Sequence, residues 1–317
     1  MKGFAAVLSS FIFMLSCTGT NAQDYPAKPV TIYVPFAAGG GTDLSLRMLE
    51  EAVSKNLGQK VVIVNKTGTA TIYQVVTGSP DGYNLVVGST GNLAAVPHNP
   101  GAPYAREDYL PVVQFTSVPA LLIVPGNSPY NSMADIVAAA KKLPPGALKV
   151  GISPTGSISH LAAIQLEKAF NIKFGYIPHK SNGDVVTAVL GGHVDIGSVD
   201  IAAAGPKMQS NSVRGIALYR ETRLPTFPEL KTLKEQGADI SFGFYNVILA
   251  PKGTPDRIVS VIHEAFRKAL EDPVVIERSK NLNLPIAYLG PQASRKAIDQ
   301  SYDTFGRLLD ELGLKKK

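Results

Sequence analysis

Short apolar runs alternate with amphipathic stretches along most of this chain. No other feature limits the fold as much. A strand that feeds a covering helix returns the chain to lay down a parallel strand beside the first. Residues 30–36 read as a buried strand. Residues 44–57 read as a helix, with Leu44, Met48, Leu49 and Val53 on one face and Gly58 to stop it. Strands follow at 61–64, 84–88, 112–115 and 121–124. A helix at 133–142, a strand at 148–153, a helix at 159–170 and a strand at 174–178 come next. A helix at 184–190, ended by Gly191 and Gly192, leads to a strand at 194–198. The pattern predicts an α/β fold of parallel-rich sheets flanked by helices.

The last third differs. A strand at 247–250 precedes a long helix, with Thr254 as N-cap and Pro255 at the first helical position. Ile258, Val261, Ile262, Ala265, Phe266, Ala269 and Leu270 form its apolar stripe. A final helix spans 294–312. The 317 residues suit one large or two medium domains. With no repeat and no low-complexity linker, two domains are expected to be joined by strands that cross between them.

The N-terminus reads as an address. Lys2 precedes an apolar run at 4–15 and small or polar residues ending in Thr20-Asn21-Ala22. This predicts a secretory signal at 1–22 and a mature chain starting at Gln23. The only cysteine, Cys17, lies inside it. Met14-Leu15-Ser16-Cys17 offers a second reading, a lipoprotein acylated at Cys17. Cleavage after Ala22 is favoured because Met14 stands where leucine is usual. Either way the compartment is outside the cytoplasm. The mature chain would have no disulfide, thiol nucleophile or cysteine metal site.

The formal charge of +6 favours anionic small molecules. No basic patch carries interleaved aromatics, so no nucleic-acid partner is expected. The 315–317 lysines read as a solvated tail.

Gly39-Gly40-Gly41 sits between the first strand and the first helix. A dinucleotide fingerprint would need a third glycine where Leu44 stands, and an acid after the second strand, which ends Val64-Asn65-Lys66. A phosphate loop would need Lys after Gly41, where Thr42-Asp43 follows. What remains is physical: glycines admit a ligand close to the backbone, and a helix start attracts an anion. Asp43 reads as a helix cap rather than a ligand contact.

Three other polar loops follow strands. Ser153-Pro154-Thr155-Gly156-Ser157 offers hydroxyls and amides to a carboxylate, with Ser157 also readable as an ordinary N-cap. Ser89, Thr90 and Gly91 form another, and His179 with Lys180 a fourth. Polar loops at the carboxyl ends of strands are where open α/β sheets bind ligands. The five histidines have no metal-binding spacing, and Gly151-Ile152-Ser153-Pro154-Thr155 lacks the second glycine of a nucleophile elbow. No catalytic residue, metal or cofactor is expected. An exported α/β enzyme with His160 or His179 as base remains the rival reading.

Five segments carry a family resemblance. They are YPAKPVTIYVPFAAGGGTD (25–43), SPDGYNLVVGSTGNLAAVPH (79–98), GISPTGSISHLAA (151–163), IPHKSNGDVVTAVLGGHVDIG (177–197) and LAPKGTPDRIV (249–259). In this order the chain resembles the tripartite tricarboxylate transporter receptors, also called Bug receptors, over residues 25–312. The resemblance implies a two-domain periplasmic binding protein, a type II-like Venus flytrap. Domain 1 would comprise 23–124 with 247–317, and domain 2 would comprise 125–246. It implies a small organic acid as ligand, a monomeric state, and membrane transporter subunits as partners. A membrane sensor kinase is an alternative partner. Carried over by motif, the ligand-binding residues are Phe36, Ala38, Gly39, Gly40, Gly41, Thr42, Asp43, Ser89 and Thr90 on one side. On the other they are Thr155, Gly156, Ser157, His160, Lys180 and Asp200.

The chain departs from that family at two places. NKTGTATIYQVV (65–76) keeps only Gly68 of a glycine-rich segment, with bulky Ile72, Tyr73 and Gln74. Tyr245-Asn246 stands where an aromatic pair led by tryptophan is usual. Either change could reshape the pocket, towards a larger or more aromatic acid or towards loss of binding.

Overall fold

The computed structural model describes residues 25–153, 157–240, 243–282 and 284–311. The expected leader with Cys17, the 315–317 tail, Thr155 and Gly156 lie outside them.

The first elements are β1 (Val30–Val34), α1 (Gly41–Arg47), α2 (Glu50–Leu57), β2 (Val61–Asn65), α3 (Thr69–Val76) and β3 (Asn84–Ser89). A π-helical turn at Gly91–Ala95 leads towards β4 (Tyr109–Pro125). Next come α4 (Met133–Lys142), β5 (Lys149–Ile152), α5 (Ile158–Phe170), β6 (Gly175–Pro178), α6 (Asn182–Leu190) and β7 (Ile196–Asp200). Then follow α7 (Ile201–Gln209), β8 (Val213–Leu218) and β9 (Gly243–Pro251). The chain closes with α8 (Asp256–Leu270), α9 (Pro273–Asn281), β10 (Ile286–Leu289) and α10 (Pro291–Glu311). No helix among the described residues is long and apolar enough to cross a membrane.

The strands form one mixed sheet in two halves, in the order β2-β1-β3-β9-β4-β7-β5-β6, with β8 and β10 also paired to β4. β4 crosses between the halves. Its residues up to Pro119 pair with β9, and those from Ala120 pair with β7 and β8. Among the named strands of the described residues, the parallel pairs are β1–β2, β1–β3, β5–β6 and β5–β7. Every pair that includes β4 or β9 is antiparallel. The α/β alternation thus holds within each half, and the crossing strands make the sheet mixed.

Both faces of each half are covered. In the first half, Val30, Ile32 and Val34 pack with Leu46, Leu49 and Val53, and with Ile262 and Phe266 of α8. In the second, Leu122 and Val124 face Ile136 and Leu161, while Leu121 and Ile123 face Val185 and Val189. Burial on both faces is why this stretch of β4 reads as an unbroken apolar run.

Several local features depart from the sequence reading. The strands expected at 112–115 and 121–124 are one. Pro111 and Pro119 hide the continuity, because proline within a run argues against a central strand. Pro111 precedes a register shift, and Pro119 ends the pairing with β9. The helix expected at 44–57 starts at Gly41 and breaks at Met48-Leu49. There Leu49 N donates to Leu46 O (3.0 Å), a tightened turn that sends Met48, Leu49 and Val53 into one core. Pro255, not Thr254, caps α8. Thr254 is buried and donates from Oγ1 to Pro251 O at 2.8 Å. The segment read as an altered glycine loop is helix α3, with Ile72, Val75 and Val76 buried at helical spacing.

Gly243 opens β9 opposite Pro119, where β4 changes partners. A Cβ there would lie 2.8 Å from Val118 O and 3.0 Å from Pro119 Cα, both backbone atoms that cannot turn aside. Gly243→Ala is expected to destabilise the fold by about 1–3 kcal/mol. Urea unfolding measures this, and an unchanged midpoint would refute the close approach.

Candidate functional site

Three helix starts converge between the halves. α1 begins at Gly41 with Gly40 as N-cap, α5 has Ser157 as N-cap, and α7 has Asp200 as N-cap. They enclose a cavity of ≈ 430 Å³. That volume is in the range of small-molecule sites, about 300–1,000 Å³. Of the residues expected at a site, Phe36, Gly41, Thr42, Ser89, Ser157 and Asp200 form its wall. The loops named from sequence at 36–42, 89, 157 and 200 therefore meet in one place.

The polar wall is built from neutral hydroxyls and an amide, with the Asp200 carboxylate as its charged side chain. Thr42 Oγ1 donates to Asn246 Oδ1 (3.2 Å), and Asn246 Nδ2 donates to Ser45 Oγ (3.2 Å) and Thr116 Oγ1 (3.0 Å). Asn246 is nearly buried and ties the glycine loop to β9. Ser89 is half-buried, and its hydroxyl makes no hydrogen bond with a described residue. Ser157 Oγ accepts from His160 N (3.3 Å) and shares hydrogen bonds with Ser153 and Ser159 (2.9 and 3.0 Å). Asp200 accepts from Ala203 N (2.8 Å) and from Asn182 Nδ2. No lysine, arginine or histidine is in the described wall. The positive potential available to a guest is that of helix-start amides, which lack partners within their helices.

The remaining expected residues sit elsewhere. Ala38, Gly39 and Gly40 are exposed beside the wall without forming part of it. Gly39 has φ +80°, a conformation that requires glycine at little cost. Asp43 is turned inwards and is 1% exposed. Its carboxylate accepts from Gly39 N (2.8 Å), Arg47 Nε (2.9 Å) and Asn65 Nδ2 (2.9 Å). Burial works to raise its pKa. The hydrogen bonds from Arg47, Gly39 and Asn65 outweigh that and hold it below the ordinary carboxylate value. Asp43 therefore braces the loop and spends its charge on Arg47.

Thr90 is buried and faces β9, accepting from Tyr245 N (2.8 Å) and donating to Gly243 O (3.2 Å). His160 is buried, edge-on to Tyr176 at 4.7 Å, and burial lowers its pKa against the opposing charge of Glu167. Lys180 is exposed and outside the wall. Ile72, Tyr73 and Gln74 are outside it as well: Ile72 is in the core, and Gln74 accepts from Lys66 Nζ (2.6 Å).

Sequence reasoning missed the apolar wall, which comprises Val118, Ile158, Phe244, Leu284 and Phe305. Phe244 and Asn246 alternate with Tyr245 and Val247 along β9, so the lone amide in that apolar strand was a usable signal. Phe305 and Leu284 come from distant elements and carry no local signal.

An α/β binding-protein fold with a cavity between its halves, where hydroxyls and helix starts stand beside an apolar wall, defines a class, the solute receptors. Residues 45–314 match the tripartite tricarboxylate transporter family receptor. The chain belongs to that family. It is similar to the Agrobacterium vitis "UPF0065 protein in the TAR-I ttuE-ttuC' intergenic region", 31% identical over 92% of this chain and 87% of the relative. Its fold matches a TctC solute-binding protein from Polaromonas at 29% identity and TM-score 0.84, covering 90% of this chain and 99% of that one. It also matches MatC from Rhodopseudomonas palustris, solved with bound malate, at 26% identity and TM-score 0.69, covering 90% and 100%.

Asp43→Ala removes three hydrogen bonds to a charged group. It is expected to cost about 1.5–3 kcal/mol of stability at neutral pH. Because the folded pKa is depressed, the wild-type advantage is complete above the ordinary carboxylate pKa and is lost as pH falls through the lower folded value. Unfolding of both proteins across acidic pH tests this. A gap that widens towards low pH would contradict it.

Proposed function

We propose that the protein is a periplasmic receptor that captures a small organic acid between its halves and delivers it to the membrane subunits of a tripartite transporter. One observation carries the reading: three helix starts and the hydroxyls of Thr42, Ser89 and Ser157 face a single cavity from both halves. Amides at helix starts favour an anion, and neutral hydroxyls complete its hydrogen bonds. The malate bound by the related MatC supports a carboxylate as guest.

The lining refines the class of acid. Phe36, Ile158, Phe244 and Phe305 offer an apolar bed beside the polar end. A monocarboxylate with an aliphatic or aromatic body matches this wall better than a polycarboxylate does. Each further carboxylate would need donors of its own, and no cationic side chain is in the described wall. A guest touching both walls would hold the halves together, and closure would then be a hinge movement about β4 and β9. The run at 4–15 and the small residues before Gln23 support export to the periplasm, where receptors of this family work.

Calorimetry of the purified protein against aliphatic and aromatic carboxylic acids tests the reading. At least one acid is expected to bind. Ser89→Ala is expected to weaken it about tenfold, the value of one hydrogen bond to a charged group, and to leave the melting temperature unchanged. Silence of the wild-type protein across both classes of acid would refute the proposal.

A further inference from the structure

A second cavity, of ≈ 600 Å³, lies behind the crossing strands. Strand alternation fixes its side. Ser117 and Pro119 of β4 and Gly243 and Tyr245 of β9 line it, whereas Val118, Phe244 and Asn246 line the first cavity. Tyr245 reaches both. The second half supplies Gln165 from α5 and Arg220 from the turn after β8, and α10 supplies Ser301.

Thr90, Gln114 and Ser301 have hydrogen-bond partners, but four other polar groups of this cavity have none among the described residues. Arg220 is half-buried and makes no hydrogen bond or ion pair with a described residue. Burial lowers its pKa and no carboxylate opposes the shift. Glu221 and Asp239 share the cavity but are exposed, and neither pairs with Arg220. Tyr219 and Tyr245 are 1% and 8% exposed. Their hydroxyls lie beside Ser198 and Ser301 without hydrogen-bond geometry. Gln165 Nε2 is likewise buried and unpartnered. Native interiors seldom leave such groups unpaired, and a cation without a countercharge is the costliest of them.

The open valences of the buried and half-buried groups are able to donate, whereas the carboxylates of Glu221 and Asp239 are exposed. A guanidinium, an amide N–H₂ and two hydroxyls are all able to donate, so the complementary guest is negatively charged and rich in acceptors. We propose that this cavity is a second binding site, for a small carboxylate, whose charge is taken by Arg220 and whose remaining oxygens accept from Gln165 and Tyr245. Planar guanidinium and carboxylate match in a bidentate pair. The site lies on the opposite face of the crossing strands from the first cavity, with Tyr245 and Phe305 in the walls of both.

Succinate is a suitable probe, read by ¹⁵N transverse-relaxation-optimised NMR of the purified protein. Saturable shifts are expected at the Arg220 Nε–H and Gln165 side-chain amide. Arg220→Gln and Gln165→Leu should each weaken the response of the remaining reporter about tenfold or more, leaving any response at the Ser89 and Asp200 amides unchanged. Because Arg220 has no protein partner to lose, Arg220→Gln is expected to melt no lower than wild type. A fall of several degrees with succinate binding retained would make Arg220 structural and overturn the proposal. So would shifts confined to Ser89 and Asp200, or Arg220 shifts reproduced by sodium chloride at equal ionic strength, the mark of an adventitious ion only. Silence of the first cavity towards every acid would leave this result intact, since the reporters stand on different walls.

Discussion

The backbone hydrogen bonds between β4 and β9 hold the architecture together. They run from Tyr109 paired with Pro251 to Pro119 paired with Gly243. Beyond that point β4 continues alone into the second half and takes β7 and β8 as partners. The link between halves is thus an ordered ladder whose side chains alternate between two faces. One face presents Val118, Phe244 and Asn246 to the first cavity, and the other presents Ser117 and Pro119 to the second. A rotation of the halves must bend β4 where its partners change. That is also where Gly243 lets the two backbones approach within the reach of a missing Cβ.

An acid beside a proposed anion site looks self-defeating until its partners are counted. Asp43 is held by Arg47, Asn65 and the Gly39 amide, and its charge is met inside the loop. What reaches the cavity from α1 is Gly41 and Thr42. Asp200 is satisfied by Asn182 and by the α7 amide it caps. Both carboxylates therefore act on geometry: one fixes the loop entering α1, the other the entry to α7. The wall they shape keeps polarity at helix starts and places aromatic rings beside it. Such a wall suits the proposed guest, an apolar molecule with a carboxylate at one end.

The alternation of strands and helices was legible because each half is wound as parallel units with helices on both faces. The polar loops were legible for the same reason, since loops at the carboxyl ends of those strands must face one another. Continuity of β4 was hidden by Pro111 and Pro119, whose local preference is overridden at a register shift and at the partner change. The roles of Thr90 and His160 were hidden because a residue's position on a loop does not say which way it turns. Thr90 turns to β9, and His160 turns to Tyr176. α3 was concealed by a family comparison, although Ile72, Val75 and Val76 had the spacing of a buried helical face.

The last helix adds a second link between the halves. At its start, Ser294 Oγ accepts from Gln114 N (3.1 Å), and Arg295 donates to the carbonyls of Arg106 and Tyr109, which fixes α10 to the first half. Near its end, Phe305 and Leu308 are in the core of the second half, beside Leu122 and Leu161. Phe305 also stands in the walls of both cavities. A rotation about β4 must therefore move α10 against one half or the other, and Phe305 is the side chain through which a guest in either cavity would feel that movement. Two cavities on opposite faces of one ladder thus share Tyr245 and Phe305 as wall residues.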